Sequence, residues 1–285
     1  MKALVLGARG QVGRALAATA PPHLIVVALG SDDLDITDAA AVRARVTMEA
    51  PDIILNAAAY TMVDSAEAKE AKAYAVNAEA VQVLAEAGRS VGAQLVHLST
   101  DFVFDGRSTT PYPVDALPAP LSAYGRTKLA GERAAGGDAL IVRTAWVHAA
   151  GGDNFVHTML RLMASASLIR VVSDQIGTPT HASSLARAIW SLAGQGRAGI
   201  YHFTDSGAAS WYDFAVAIQE EALAIGLLDD ATPVLPVMTA DYPTPAVRPS
   251  FSLLDKTKTW AALGEAAPHW RANLRRMLSE IKAYG

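Results

Sequence analysis

Lys2-Ala-Leu-Val-Leu-Gly7-Ala-Arg-Gly10-Gln-Val-Gly13 is the stretch that decides the fold. A short apolar run ends in a G-x-x-G-x-x-G turn, and the residues after it have helical composition. Glycine is needed there for three reasons: one position turns tightly, one lets the backbone approach a pyrophosphate, and one lets the helix pack closely on the strand. The helix N-terminus then offers free N–H groups and the positive end of its dipole. Gly7, Gly10, Gln11, Val12 and Gly13 are therefore candidate cofactor-binding residues, with NADPH or NADH as the cofactor. An acid about 20 residues on would hold the adenosine ribose. Here Gly30 and Ser31 follow the second apolar run, and the acids come later, at Asp32, Asp33 and Asp35. Arg9, inside the turn, suits a 2′-phosphate, so both cofactors stay open.

Outward from this turn, apolar runs alternate with helical stretches. Strands are predicted at Ala3–Leu6, Leu24–Leu29, Ile53–Asn56, Leu95–Ser99 and Leu140–Thr144. Helices are predicted at Val12–Ala20, Asp38–Ala50, Ala73–Ser90 and Ser122–Ala135. Strands buried on both faces read as continuous apolar runs, which implies an α/β fold with a doubly wound parallel sheet of Rossmann type. Beyond residue 150 the rhythm changes. Helices are predicted at Asn154–Ser165, His181–Ala193, Trp211–Gly226 (N-cap Ser210), Asp255–Leu263 and His269–Ala283, with strands at Ile169–Val172 and Gly199–Phe203. The segment from Asp241 to Pro249 carries three prolines and reads as an extended loop. The expected division is a dinucleotide-binding domain over 1–150 and a smaller, mainly substrate-binding lobe over 151–285, interleaved with the sheet.

Two further features carry chemistry. Tyr124-Gly-Arg-Thr-Lys128 places a phenol and an ammonium at i and i+4 on one helix face. An adjacent cation favours phenolate and is expected to lower the tyrosine pKa toward working pH. Ser99-Thr100-Asp101 follows a predicted parallel strand, at the carboxyl end of the sheet, where open α/β folds bind ligands. Thr100 can there hydrogen-bond a substrate carbonyl. Thr100, Tyr124 and Lys128 are the candidate catalytic set.

Composition narrows the partners. Apolar residues make up 51% of the 285, which excludes a disordered chain. A net charge of −4 without runs of Lys or Arg argues against nucleic acid and anionic membrane. There is no cysteine, and the seven histidines show no ligand spacing, so no disulfide and no metal site is expected. His97 reads as a strand residue without catalytic work, and His148, His157, His181 and His202 form no constellation. The opening residues leave no room for a signal sequence and no apolar run reaches spanning length, so the reading is a cytoplasmic protein.

The glycine turn, the strand-end hydroxyl and the Tyr-x-x-x-Lys helix, in this order, resemble the extended short-chain dehydrogenase/reductase superfamily. Longer strings resemble its dTDP-4-dehydrorhamnose reductase family: Asn56 to Glu67, Ser99 to Gly106, Tyr124 to Glu132, Arg143-Thr-Ala-Trp146-Val, Asp174 to Thr180, Trp211 to Phe214 and Pro245 to Pro249. The resemblance implies reduction of a dTDP-bound 4-keto deoxysugar to dTDP-L-rhamnose. It implies that Tyr124 donates the proton, that Lys128 tunes it and holds the ribose, and that Thr100 orients the ketone. Asp35 and Ile36 would bracket the adenine, and Ala59, Tyr60, Thr61 and Leu98 would line the path to the nicotinamide. Asp101, Trp146, Trp211 and Arg248 would meet the sugar nucleotide. Some members of the family form metal-bridged dimers, so a homodimer and Mg2+ are also allowed, although the sequence offers no ligand set. A related nucleotide-sugar 4-ketoreductase and a non-catalytic regulatory subunit of the methionine adenosyltransferase type are the alternatives. The intact Thr-Tyr-Lys set favours an enzyme.

Overall fold

The glycine turn joins the strand Lys2–Leu6 (β1) to the helix Gln11–Ala18 (α1) in a computed structural model that describes residues 1–284. The strands Ile25–Leu29 (β2), Ile53–Asn56 (β3), Gln94–Thr100 (β4), Leu140–Thr144 (β5) and Gly199–His202 complete a six-stranded sheet. The order is β2-β1-β3-β4-β5 and then 199–202, with every pairing parallel. From β1 the chain goes one way to β2 and then returns to place β3 on the other side of β1. That reversal opens a crevice beyond the carboxyl ends of β1 and β3, the ligand position of open α/β sheets.

Side chains alternate across each strand, so β1 feeds two cores. Ala3 and Val5 pack with Leu16 of α1 and with Leu185, Ile189 and Trp190 of the helix Ala182–Gly194. Leu4 and Leu6 pack on the other face with Val42 and Val46 of Ala39–Glu49 (α2) and Val81 and Leu84 of Ala80–Val91 (α5). Each fully buried Leu or Val of this kind contributes about 1.5–3 kcal/mol.

The sequence predicted one helix over Ala73–Ser90. The chain instead forms Val63–Ala68 (α3), Glu70–Tyr74 (α4), a π-helical turn Ala75–Glu79, and α5. The wide turn brings Asn77 inside, where its Oδ1 accepts from Tyr60 N–H at 2.8 Å and its Nδ2 donates to Tyr60 O and Thr127 Oγ1, each at 3.1 Å. Ala123–Ala135 (α6) packs beside this turn and against β4.

The smaller C-terminal lobe holds Phe155–Met163 (α7), Trp211–Ala224 (α9) and Trp270–Tyr284 (α11) around Phe214, Met159 and Leu274. Ser210 caps α9 in a reciprocal capping box with Asp213. The parallel pair Ile169–Val172 and Val234–Val237 edges this lobe, and the second strand was not expected because it carries Pro236. An outer strand tolerates that residue. The helix Ala182–Gly194 (α8) and strand 199–202 return to the sheet, and Thr257–Leu263 (α10) packs on them. The two layers are thus interleaved along the chain.

Candidate active site

Two adjoining hollows lie above the crevice. One of about 300 Å³ is lined by Gly7, Gly30, Asp35, Ile36, Ala58 and Val76, among others. The other, of about 640 Å³, runs from Gln11 and Val12 past Thr61 and Leu98 to Thr100, Tyr124 and Lys128, and on to Trp146, Trp211 and Arg248. Arg9, Gly10, Ala57 and Ala59 border both. Together they form one elongated cleft.

Glycine is required at the turn. Gly7 has φ +74°, and a Cβ there would lie 2.6 Å from Ala58 N. A Cβ on Gly13 would lie 2.1 Å from Gly7 O, so this glycine serves the close approach of α1 to its own turn and does not line the cleft. Gly10 caps α1 with no side chain bonded to the first-turn N–H groups, and this leaves them for an anion. Arg9 lies over Gly30: a Cβ at that position would be 2.7 Å from Arg9 Nε. Its guanidinium pairs with Asp32 and stands 3.9 Å from Asp33 Oδ2. Asp35 accepts from the Thr37 hydroxyl at 2.7 Å and its N–H at 2.9 Å, bonds that hold its carboxyl below the usual range.

At the sheet's edge β4 delivers Thr100, whose Oγ1 donates to Asp101 Oδ1 at 3.1 Å and accepts from Phe102 N–H at 3.2 Å. Asp101 is buried with Oδ2 unpartnered, and burial pushes its carboxyl up to about 6. Tyr124 stands in the first turn of α6, capped by Ser122, with its ring edge-on to Phe102 at 5.6 Å. Lys128 is buried one turn later and donates from Nζ to Leu98 O at 2.6 Å. The electrostatics correct the expectation for this pair. Desolvation pushes the Tyr124 phenol up to about 12, against a hydrogen bond from Thr100, and draws Lys128 down to about 8. Loss of water outweighs the ammonium, whose nitrogen is turned toward the carbonyl of β4.

Beneath these groups lies a buried ion pair that sequence reasoning missed. Arg143 of β5 donates from Nε and Nη2 to the two Glu132 carboxylate oxygens at 2.8 and 2.7 Å, and Ser99 donates to the same carboxylate. Glu132 is on α6, so the pair ties the Tyr-Lys helix to β4 and β5. The signal was present, since Glu132 closes the Tyr124 string and Arg143 opens the Trp146 string.

At the far end, Trp146 and Trp211 stack face to face, with centroids 3.6 Å apart and planes at 9°. Trp146 has φ +47°, and its indole fills the space where a Cβ on Gly177 would lie 2.7 Å away. Arg248 meets Asp64 through both nitrogens, and this pairing holds the Asp64 carboxyl below its ordinary value. Asn154, at the N-cap of α7, donates to Gln11 Oε1 at 3.0 Å and links the lobe to the glycine turn.

The cleft gathers every sequence-predicted site residue except Gly13 and Tyr60. Tyr60 packs with Ala66, Ala73 and Ala123, and its backbone is held by Asn77. His148 and His181 face each other edge-on at 5.7 Å, and His97 touches Lys128. Among the described residues no group of three or more His, Asp or Glu side chains is placed to hold a metal ion. No helix among them is long and apolar enough to cross a membrane.

The switch-point cleft, with Thr100, Tyr124 and Lys128 at its centre, defines a Rossmann-type protein of the extended short-chain dehydrogenase/reductase kind. The pattern of one family within it, described as RmlD substrate binding domain, matches residues 1–283, and the chain belongs to that family. The dTDP-4-dehydrorhamnose reductase of Aggregatibacter actinomycetemcomitans is 41% identical over 292 residues, covering 99% of this chain and 98% of that protein. The crystal structure of a dTDP-4-dehydrorhamnose reductase from Clostridium acetobutylicum matches with a TM-score of 0.93 at 36% identity, over 99% of this chain and 100% of that one. The Bacillus anthracis enzyme of the same name, solved in complex with NADP, gives 0.91 at 35% identity, over 98% and 99%.

Proposed function

We propose that this protein reduces the 4-keto group of dTDP-4-dehydro-6-deoxy-L-mannose, giving dTDP-L-rhamnose, with NADPH or NADH as hydride donor. The observation that carries the reading is the set of groups gathered in one cleft: a glycine turn, Thr100, Tyr124 and Lys128, and Arg248 with two indoles. Gly10, where a Cβ would meet only Gly7 O at 3.3 Å, lines both hollows beside the uncapped start of α1, and this open backbone fits a dinucleotide diphosphate. Gly10, Gln11 and Val12 would hold that diphosphate, and Asp35 and Ile36 the adenosine. When bound, the nicotinamide supplies hydride to the ketone carbon.

The chain's own residues handle the proton. The Tyr124 phenol, kept protonated by burial, gives its proton to the developing alkoxide. The Lys128 ammonium stabilises the phenolate left behind and reaches the ribose hydroxyls. The Thr100 hydroxyl orients the ketone oxygen, and Asp101 contacts the sugar. In the lobe, Arg248 meets the diphosphate through its planar fork, and Trp146 and Trp211 lie along the nucleotide sugar. The first 150 residues, with α8 and strand 199–202, would then bind cofactor, and the rest of the lobe substrate.

NADPH is expected to serve at least as well as NADH, because Arg9 occupies the space over Gly30 that an acid on the second strand would need. The test of the whole reading is incubation of the purified protein with either cofactor and the 4-keto sugar nucleotide, with product identification by NMR. Stoichiometric cofactor oxidation and dTDP-L-rhamnose are expected. Absence of turnover with both cofactors overturns it.

A further inference from the structure

His97 and Asn56 face each other across the paired strands β4 and β3, both fully buried. The orientation of the Asn56 amide is fixed by Ala58, whose N–H donates to Asn56 Oδ1 at 3.2 Å. The Asn56 Nδ2 therefore points at His97 Nδ1, 3.3 Å away. An amide NH₂ only donates, so Nδ1 must accept. A neutral imidazole carries one proton, which then sits on Nε2. That nitrogen is 3.4 Å from Lys128 Nζ. Gly131 lies beside this contact: a Cβ there would be 2.0 Å from Asn77 O and 3.2 Å from His97 Nε2, so α6 can pack on the π-helical turn, and sit this close to His97, only because the position is glycine.

We propose that His97 is a positioning residue for Lys128, aiming an Nε2–H at the lysine amine and tying the state of that amine to the Asn56 amide at the root of the Ala57–Ala59 loop. The inference rests on the reductase reading, in which Lys128 works beside Tyr124. An N–H directed at nitrogen suits the lone pair of a neutral amine and opposes an ammonium, so His97 lowers the pH above which the ammonium that steadies the phenolate is lost. To accept from an ammonium, His97 must change tautomer. Asn56 must then turn over, and Ala58 N–H loses its acceptor. Lysine protonation is thereby coupled to a loop that borders both hollows.

Burial acts in the same sense, holding His97 well below its ordinary range and drawing Lys128 down to about 8. Glu132, on α6 itself, opposes this, and Arg143 from β5 holds Glu132 in the bidentate pair. Asp101, from the turn after β4, acts on Tyr124. β3 and the π-helical turn contribute Asn56 and Asn77, neither of them titratable.

Two measurements on the full chain test the proposal, and neither needs substrate. The ¹⁵N imidazole spectrum of the seven histidines, with His97→Gln assigning the resonance, should show His97 as the neutral Nε2–H tautomer at pH above the Lys128 midpoint. The ¹³Cε resonances of the seven lysines, with Lys128→Arg as the assignment, should show Lys128 titrating well below the ordinary lysine range. In His97→Gln the amide can turn its oxygen toward an ammonium, and the Lys128 midpoint should rise by about one pH unit or more. An Nδ1–H tautomer in the wild type above that midpoint overturns the proposal, as does an unchanged Lys128 midpoint in a folded His97→Gln protein. If that variant does not fold, the resonance shifted in Lys128→Arg is assigned to His97, and the tautomer decides the matter alone. Failure to reduce the 4-keto sugar would defeat the reductase reading and leave both spectra as they are.

Discussion

Arg248 and Asp64, 184 residues apart in the chain, are joined by a two-pronged ion pair with Nη1–Oδ1 at 3.0 Å and Nη2–Oδ2 at 2.7 Å. The same guanidinium donates to Thr244 Oγ1 and Ala246 O, so the proline-rich loop is folded around it. Arg248 also lines the large hollow. In the proposed reading the side chain that pins the loop also meets the diphosphate, and the two roles separate by measurement. Arg248→Ala is expected to raise KM for the sugar nucleotide about tenfold or more, the worth of a charged hydrogen bond, and to leave cofactor affinity intact. A lower Tm with unchanged KM would reduce Arg248 to the pin.

Tyr124→Phe keeps the ring against Phe102 and removes only the hydroxyl. Turnover is expected to fall by about 10²–10⁴-fold, with Tm close to wild type. Near-normal turnover in the folded variant would remove the phenol as proton donor.

Arg9→Ala takes away the cation over Gly30. Initial rates with the two cofactors should show kcat/KM for NADPH falling about tenfold or more, while that for NADH changes little. Asp32→Asn, which frees Arg9 from its partner, should move the ratio toward NADPH. Equal losses with both cofactors would mean that Arg9 only supports the turn.

Glu132→Gln leaves Arg143 buried without its counter-charge. Unpairing such a charge costs about 3–5 kcal/mol, so denaturant unfolding should show a loss of that size. A loss below about 1 kcal/mol would contradict a dry, buried pair.

The pH dependence of stability follows from buried histidines. Burial holds His148 and His202 at about 3 and His181 at about 4, and His97 well below its ordinary range. Unfolded histidines titrate near 6.5, so their contribution is present above that pH and is lost as pH falls through 4 toward 3. Asp101 and Asp205, raised to about 6 by burial, act oppositely, and their contribution is lost as pH rises from about 4 through 6. Four histidines outweigh two carboxyls, a net uptake of about two protons on unfolding near pH 5, or on the order of 3 kcal/mol per pH unit. Tm should therefore fall steeply between pH 7 and 5, and a flat profile would refute it.

Much of this was legible in the sequence, for physical reasons. Strands β1 to β5 ended within a residue or two of expectation because buried parallel strands are unbroken apolar runs bounded by turns. Thr100, Tyr124 and Lys128 could be found because strand ends and helix spacing place them together. The short helices around Lys69 were missed because alanine repeats mixed with charges give no apolar stripe. The strand Val234–Val237 hid behind Pro236. The raised phenol and the partner of Arg248 could not be read, since desolvation and a contact across 184 residues belong to the folded molecule.

The stacked indoles give the molecule a built-in optical probe. Two parallel chromophores 3.6 Å apart exchange excitation, which splits their near-ultraviolet circular dichroism and quenches their emission. Trp146 stands where the chain leaves β5 for the lobe, and Trp211 is the first residue of α9, so any slip of the lobe against the sheet changes the overlap of the rings. The remaining three tryptophans, Trp190, Trp260 and Trp270, lie outside the large hollow. Under the proposed reading, a change in the overlap of this pair would report a nucleotide sugar entering the large hollow of unlabelled protein.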